Sequence, residues 1–340
     1  MLRSILIVRL GSLGDLIHTL PAFAELRREY PDARIDWLVE APHREILTMV
    51  DGLSNVVVLK GRSASGWFDT ITELRARQYD LALDFQGLIK SATLTRFSGA
   101  REVLGFDSKS LREPAARIFY SRSVRADDGG HVINKNLDLA SEVVQRRVRL
   151  SETWDQPRAD FPLTAVGSGV LEDLREKGVK EFALINPGAA WSNKRWPAAR
   201  FGAVAKVLKD AHGLTPVVLW GPGERVLADA VQAASDGRAV VAAETRLPDL
   251  VSLSRDASLM ISGDTGPLHI ACAVGTPTVS LFGPTDAVRN GPWNPKDIVL
   301  TRYGTCACHY KRQCQQPHSW CLPDIGVEDV TAAVRKRLES

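Results

Sequence analysis

One stretch restricts the fold more than any other. Residues Leu259 to Asp286 read LMISGDTGPLHIACAVGTPTVSLFGPTD. The apolar run Leu259-Met260-Ile261 is short and ends at Ser262-Gly263, which reads as a strand running into a turn. Asp264 and Thr265 are both candidates to cap the helix that follows, because their side-chain oxygens accept free first-turn N–H groups. Pro267 suits that first turn, where no backbone donor is needed. The helical run stops at Gly275, and Thr278 to Phe282 reads as the next buried strand. The result is a parallel β-α-β unit. Its strand-to-helix turn presents backbone N–H groups at a helix N-terminus, a ready anion site.

The same alternation runs through the rest of the chain. Ile5–Val8 is a buried strand followed by the Gly11–Asp15 turn and a helix from Leu16 to Tyr30. Strands follow at Arg34–Val39, Val56–Leu59, Leu81–Phe85 and Val103–Phe106, with a helix over Thr70–Arg77 and another from about Val132 to Val148. The stretch Leu150–Leu163 has proline, polar residues and no period, which marks an inter-domain linker. The pattern then restarts. Phe182–Ile185, Val217–Trp220 and Val240–Ala242 are strands, interleaved with helices over Leu171–Lys177, Arg200–His212, Val226–Ala234 and Leu247–Arg255. Strands alternating with helices give an α/β chain with parallel sheets. At 340 residues, two such doubly wound domains facing a cleft are expected. Their bounds are residues 1–160 and 161–322, with a terminal helix in 323–340 packing back toward the first domain. Ligands lie at the carboxyl ends of strands in such sheets. The turns after Val8, Ile185, Trp220 and Ile261 are therefore the places to search.

A formal net charge of +3 is too small to argue for a nucleic-acid partner, so its distribution matters more. Between Gln86 and Arg125 there are eight basic residues against three acidic. This asymmetry points to an acidic partner for the first domain or an anionic membrane surface; a solvated helix face is the plain alternative. No apolar run reaches the ~18 residues a membrane span needs. The start, MLRSILIVRLGSLGD, is broken by Arg9 and does not read as a signal peptide. A cytoplasmic protein, peripheral at most to the inner membrane, is the expectation.

Gly11-x-x-Gly14-Asp15 is neither the G-x-G-x-x-G dinucleotide fingerprint nor a P-loop, so a nicotinamide oxidoreductase loses its main support. Asp15 is either a general base at the mouth of a cleft or a helix cap. Lys194 and Arg195, in the turn after Phe182–Ile185, suit a phosphate. Glu224 suits a ribose or sugar hydroxyl, with a surface cap as the alternative. His269, on the first turn of the helix after Gly263, is a ligand donor or a core residue. Cys306, Cys308, Cys314 and Cys321 offer enough thiols for one structural tetrahedral zinc, against packed reduced thiols or partial disulfides. No Asp-x-Asp occurs. A nucleotide diphosphate would therefore be stabilised by lysine and helix N-termini, without the usual carboxylate pair for a divalent metal.

These residues resemble a known family. The chain is similar throughout to family 9 glycosyltransferases of the GT-B fold, the bacterial lipopolysaccharide heptosyltransferases. The marks are VRLGSLGDLIHTLPA at Val8–Ala22, DFQGLIKSA at Asp84–Ala92, LREPAARIFY at Leu111–Tyr120 and SGDTGPLHIACAVGTPTVSLFGPTD at Ser262–Asp286. The first three are closer to heptosyltransferase I. The resemblance implies inverting, metal-independent transfer of heptose from ADP-L-glycero-D-manno-heptose to the Kdo/heptose inner core on lipid A. It makes Asp15 the catalytic carboxylate. It places Lys194, Glu224, Asp264, Thr265, Gly266 and His269 on the donor side, and Gly14, Lys90 and Arg112 on the acceptor side. A relative using another nucleotide sugar, or a non-catalytic GT-B protein that binds one, shares the same marks.

Overall fold

The computed structural model describes residues 2–126, 129–144, 160–314 and 321–340. The chain divides into two compact units, residues 1–164 and 165–340. The first contains β1 (Ser4–Val8), α1 (Leu13–Ile17), α2 (Leu20–Glu29), β2 (Arg34–Glu40), α3 (Arg44–Leu47), β3 (Asn55–Leu59), α4 (Ala64–Arg77), β4 (Leu81–Asp84), α5 (Ile89–Phe97), β5 (Glu102–Phe106), β6 (Arg122–Val124) and α6 (Val132–Val144). The second contains α7 (Gly169–Glu176), β7 (Phe182–Asn186), α8 (Ala198–His212), β8 (Thr215–Val218), α9 (Arg225–Ala234), β9 (Val240–Val241), α10 (Leu247–Asp256), β10 (Leu259–Gly263), α11 (Gly266–Ala273), β11 (Thr278–Phe282), α12 (Ala287–Asn290), β12 (Ile298–Thr301) and α13 (Val327–Leu338).

Each unit is built on one six-stranded parallel sheet. The orders are β3-β2-β1-β4-β5-β6 and β12-β11-β10-β7-β8-β9, so each unit is doubly wound. The winding direction reverses between β1 and β4 in the first sheet and between β7 and β10 in the second. At such a switch point the two connections leave in opposite directions and open a crevice at the strands' carboxyl ends. The central strands are buried along their whole length because helices cover both faces; all five residues of β1, β7, β10 and β11 are buried.

Several boundaries differ from those expected. The helix expected over Leu16–Tyr30 is two helices, α1 and α2. Pro21 has no N–H to give the carbonyl of Ile17, so the first helix ends there; the hydroxyl of Thr19 bonds back to the carbonyl of Asp15 at 2.8 Å instead. The edge strands β6 and β12 escaped the sequence reading because three and four residues are too few to show a period. Most of the expected linker, and the end of the helix expected to reach Val148, lie outside the described residues. The described end of the linker is bound to the first unit: Asp51 N–H donates to the carbonyl of Pro162 at 2.8 Å, and Thr164 N–H to that of Met49 at 2.8 Å. Helix α13 belongs to the second unit, packed on α8, β11 and β12.

The second core is closed by helix-on-helix packing that depends on one glycine. A Cβ at Gly202 on α8 would lie 2.4 Å from the Cβ of Ala234 on α9 and 2.7 Å from its carbonyl carbon. Gly202→Ala therefore forces the helices apart and should cost about 1–3 kcal/mol of stability, measured by urea unfolding. An unchanged midpoint would show that the pair is not close-packed.

Candidate functional site

The first switch point is a walled cavity. It has a volume of about 330 Å³ and is lined by residues from the ends of β1, β2 and β4, among them Asp15, Glu40, His43, Gln86 and Lys90. Asp15 comes from the turn after β1. Arg9, the first residue past β1, is buried, and its Nη2 lies 2.6 Å from Asp15 Oδ1; its Nη1 donates to the carbonyl of Phe85. Asp15 Oδ2 accepts from Ser12 N–H at 3.0 Å and from Ser12 Oγ at 3.2 Å. The residue thus closes the first turn of α1 and presents a carboxylate to the cavity, with about a third of its side chain exposed. The two readings of Asp15 are compatible: the local bond to Ser12 fixes the carboxylate at the cavity wall.

Lys90 forms an ion pair with Glu40 in the same cavity. His43 packs so closely that a Cβ on Gly11 would meet its ring at 2.9 Å. Burial pushes His43 below its ordinary value, against the opposing pull of Glu40 and Asp15, and a neutral ring results. Beneath the cavity, Asp84 is fully buried. It accepts from Tyr120 Oη at 2.8 Å, Ser91 Oγ at 2.9 Å, and the N–H groups of Gln86 and Gly87 at 2.9 and 3.1 Å. Burial raises its pKa despite these donors. Its four bonds hold the Gln86–Ser91 turn in place. Gly14 is buried in α1 and its carbonyl accepts from His18 N–H. Arg112 is exposed and does not line the cavity, so the structure gathers Asp15 and Lys90 but leaves Arg112 outside.

At the second switch point, Asp264 follows β10. Its Oδ2 meets Lys194 Nζ at 2.6 Å and Thr285 Oγ1 at 2.7 Å, and its Oδ1 lies 3.2 Å from His269 Nε2. Lys194 also stands over the Trp191 ring, 4.6 Å from its centroid. Burial alone would raise the carboxyl's pKa, but the bond to His269, its charge and Lys194 outweigh it and hold the group well below the usual carboxylate range. The expected capping role of Asp264 and Thr265 is not realised. Thr265 is the N-cap residue, yet its side chain makes no cap bond; its hydroxyl accepts from Asn186 Nδ2 at 2.9 Å, and the Asp264 carboxylate is taken by Lys194 and Thr285. Gly266 opens α11, where a side chain is absent and backbone N–H groups point outward. His269 is buried against Asp264.

Glu224 is not a free surface cap. A Cβ at Gly188 would lie 2.0 Å from its Oε2, and Gly221 N–H donates to that oxygen at 3.3 Å. Arg195 stands 3.4 Å from Oε1. Glu224 therefore bridges the turns after β7 and β8.

Three of the four clustered cysteines, Cys306, Cys308 and Cys321, are buried together, with Cys314 packed against them. Sγ of Cys306 lies 3.4 Å from that of Cys308 and 3.9 Å from that of Cys321. All are free thiols. Among the described residues no group of three or more His, Cys, Asp or Glu side chains forms a ready ion site. The cluster abuts the turns after β7 and β11: a Cβ at Gly283 would meet Cys321 Sγ at 2.6 Å, and Asn193, next to Lys194, directs its Nδ2 to Cys308 Sγ at 3.7 Å.

Arg9, Glu40, His43, Gln86 and Thr285 were missed as site residues. The strand-end rule would have found the first four, which stand just past β1, β2 and β4. Thr285 carries no such signal.

The geometry can be set beside known proteins. A family model described as glycosyltransferase family 9 (heptosyltransferase) matches residues 67–319. The chain belongs to this family. Lipopolysaccharide heptosyltransferase 1 of Pseudomonas aeruginosa is 30% identical over 326 residues, covering 91% of this chain and 87% of the relative. Lipopolysaccharide heptosyltransferase 3 of Escherichia coli is 29% identical, covering 96% and 97%. The solved E. coli heptosyltransferase WaaC with ADP-2-deoxy-2-fluoro heptose superposes with a TM-score of 0.78 at 23% identity, over 98% of this chain and 99% of that one. The fold is therefore α/β of the GT-B type, and the protein is a glycosyltransferase. No helix among the described residues is long and apolar enough to cross a membrane.

The buried carboxylate of the second site gives a test by pH. Asp264 is depressed below its unfolded value of ~3.9. It therefore contributes stability that is present above that value and is lost as pH falls toward the folded pKa. Below about pH 4 the wild-type protein should progressively lose this contribution, and Asp264→Asn, with no carboxyl to titrate, should not. Urea midpoints of the two proteins should converge on acidification. Parallel lines would show that Asp264 is not held by Lys194 and His269.

Proposed function

We propose that this chain moves heptose from ADP-L-glycero-D-manno-heptose to the Kdo/heptose inner core of lipopolysaccharide, at the cytoplasmic face of the inner membrane. Transfer on this reading is a single displacement with inversion and no metal. The observation that carries it is the Asp15 carboxylate, fixed by Arg9 and Ser12 at the wall of a sugar-sized cavity. The Arg9 guanidinium stands 2.6 Å from it and balances its charge. A carboxylate at that wall would accept the proton of the acceptor hydroxyl as the hydroxyl attacks the anomeric carbon. Lys90 lines the cavity with it; on this reading Gly14, buried in α1 beside Asp15, and Arg112, on the exposed turn, complete the acceptor side.

The donor half of the reading rests on the second switch point. The leaving diphosphate would lie at the N-terminus of α11, where Gly266 lets backbone N–H groups approach it. Lys194 would neutralise it, held in place by Asp264, while Thr265, His269 and Glu224 would complete the contacts to diphosphate, sugar and ribose. The relatives support heptose and lipopolysaccharide. Their similar identities to a type 1 and a type 3 enzyme leave the acceptor hydroxyl to experiment. A nucleotide-sugar-binding protein without activity has in its favour only that Asp15 is already ion-paired.

Asp15→Ala separates these readings. It should lower kcat by about 10²–10⁴-fold, the usual worth of a general base, with ADP-heptose binding by calorimetry nearly unchanged. Undiminished turnover would sink the mechanism, and donor binding by the wild type without transfer to any lipid A-type acceptor would favour the non-catalytic reading.

A structural zinc on Cys306, Cys308, Cys314 and Cys321 is a separate proposal. It is supported by sulfur spacings of 3.4 and 3.9 Å, which bracket the ~3.8 Å edge of a tetrahedron with ~2.3 Å zinc–sulfur bonds. Protein purified without chelator should carry close to one equivalent. Negligible zinc with every thiol titratable would leave the cluster as packed core.

A further inference from the structure

Four large apolar side chains stand exposed among the described residues of the first unit: Phe68, Ile89, Phe97 and Ile118. All four lie on one side of its sheet. The right-handed crossovers β3-α4-β4 and β4-α5-β5 put α4 and α5 on the same face. The 3-10 turn Pro114–Phe119, between β5 and β6, packs against α5. Helices α2 and α6 pack together and carry none of the four.

The four also fall close together. Arg75 Nε near the end of α4 donates to the carbonyl of Phe97 at 3.2 Å, so the two helix ends adjoin. The helices run parallel because each leads into a strand of one parallel sheet. Phe68 and Ile89 then both stand about 10–12 Å back from that junction at ~1.5 Å per residue. Ile89 N–H donates to Glu113 Oε2 at 2.7 Å, which anchors the start of the 3-10 turn beside the start of α5. The turn then carries Ile118, 78% exposed, along the helix toward Phe97. Ile89, Thr93 and Phe97 follow the i, i+4, i+8 spacing of one helix face.

The charge around Phe97 and Ile118 is mainly basic, while Asp69, exposed beside Phe68 on α4, is the acidic exception. Arg96 and Arg112 are exposed and form no ion pair among the described residues, and Arg117 beside them spends one Nη on the carbonyl of Tyr120. Glu113, at the start of the 3-10 turn, accepts from the Ile89 N–H. The face is also continuous with the cavity: α5 carries Ile89 outward on it, while the adjacent Lys90 and Ser91 line the Asp15 cavity.

We propose that the outer face of α4, α5 and the 114–119 turn is a membrane-docking surface, seated on an anionic bilayer with Phe97 and Ile118 as apolar anchors and Arg96, Arg112 and Arg117 on lipid headgroups. Apolar side chains ringed by arginines fit such a surface, where each basic group gains from the negative surface potential and each anchor from leaving water. This rests on the proposed function for its purpose, since a lipid-borne acceptor must reach the Asp15 cavity from a bilayer. It does not rest on that reading for its test.

The test is sedimentation of the full chain with vesicles of equimolar phosphatidylcholine and phosphatidylglycerol, against vesicles of phosphatidylcholine alone. Wild type should partition onto the anionic vesicles and, on raising salt, come off. The double variant Phe97→Glu, Ile118→Glu should lose more than about tenfold in partition, and Arg96→Glu several-fold. Val226→Glu, at an exposed apolar position of the second unit, should bind as wild type does. Transfer to a lipid-free acceptor should be unchanged in the double variant, so failed chemistry and failed docking are told apart. Equal partition of wild type and double variant, or equal loss in Val226→Glu, would overturn the proposal. So would a wild-type dimer that the double variant dissociates, which would give the face to a second copy.

Discussion

The Asp264 carboxylate ties the site at the second switch point together. Three groups from three separate segments converge on it: Lys194 from the turn after β7, His269 from α11, and Thr285 from the turn after β11. Removing one partner of a buried pair of this kind leaves an uncompensated charge and costs about 3–5 kcal/mol. The pair therefore does more than add stability. It holds a lysine, whose flexible stem would otherwise leave its ammonium mobile, at a fixed place beside a helix N-terminus. Trp191 confines the same ammonium from another side.

The two units use one solution twice. Each sheet reverses its winding once, and each reversal carries a charged pair of opposite orientation. In the first unit the carboxylate of Asp15 faces the cavity with Arg9 buried behind it. In the second the carboxylate of Asp264 is buried and the lysine is the more exposed partner. Membership of glycosyltransferase family 9 places both pairs in a sugar-transferring enzyme.

Much of this was readable in the residues. Strand and helix positions followed from apolar runs and Gly or Pro punctuation, and the strand-end rule located Asp15, Lys194 and Asp264. Local pattern failed where partners come from far along the chain. Asp264 looks like a cap in its own segment because Thr285 and Lys194 are remote. Glu224 looks like a surface residue because its contact with Gly188 joins two turns. Asp84, buried under Tyr120, holds the turn that carries Lys90 without any sequence sign of its burial. Arg9 seemed only to interrupt an apolar strand, yet it is the cation that fixes Asp15. The basic character of this part of the first unit was visible as a count of residues, but the grouping of its exposed apolar side chains needed the fold, since Phe68, Ile89, Phe97 and Ile118 are scattered in sequence.

The central claim is that Asp15 activates an acceptor hydroxyl for a single displacement at the anomeric carbon. The most direct measurement is the anomeric configuration of the newly formed linkage, read by proton and carbon NMR on product made from ADP-heptose of known configuration. One displacement assisted by a base predicts a linkage of the opposite configuration to the donor. A linkage of the same configuration would mean two displacements or front-face attack, and would contradict the role given to Asp15.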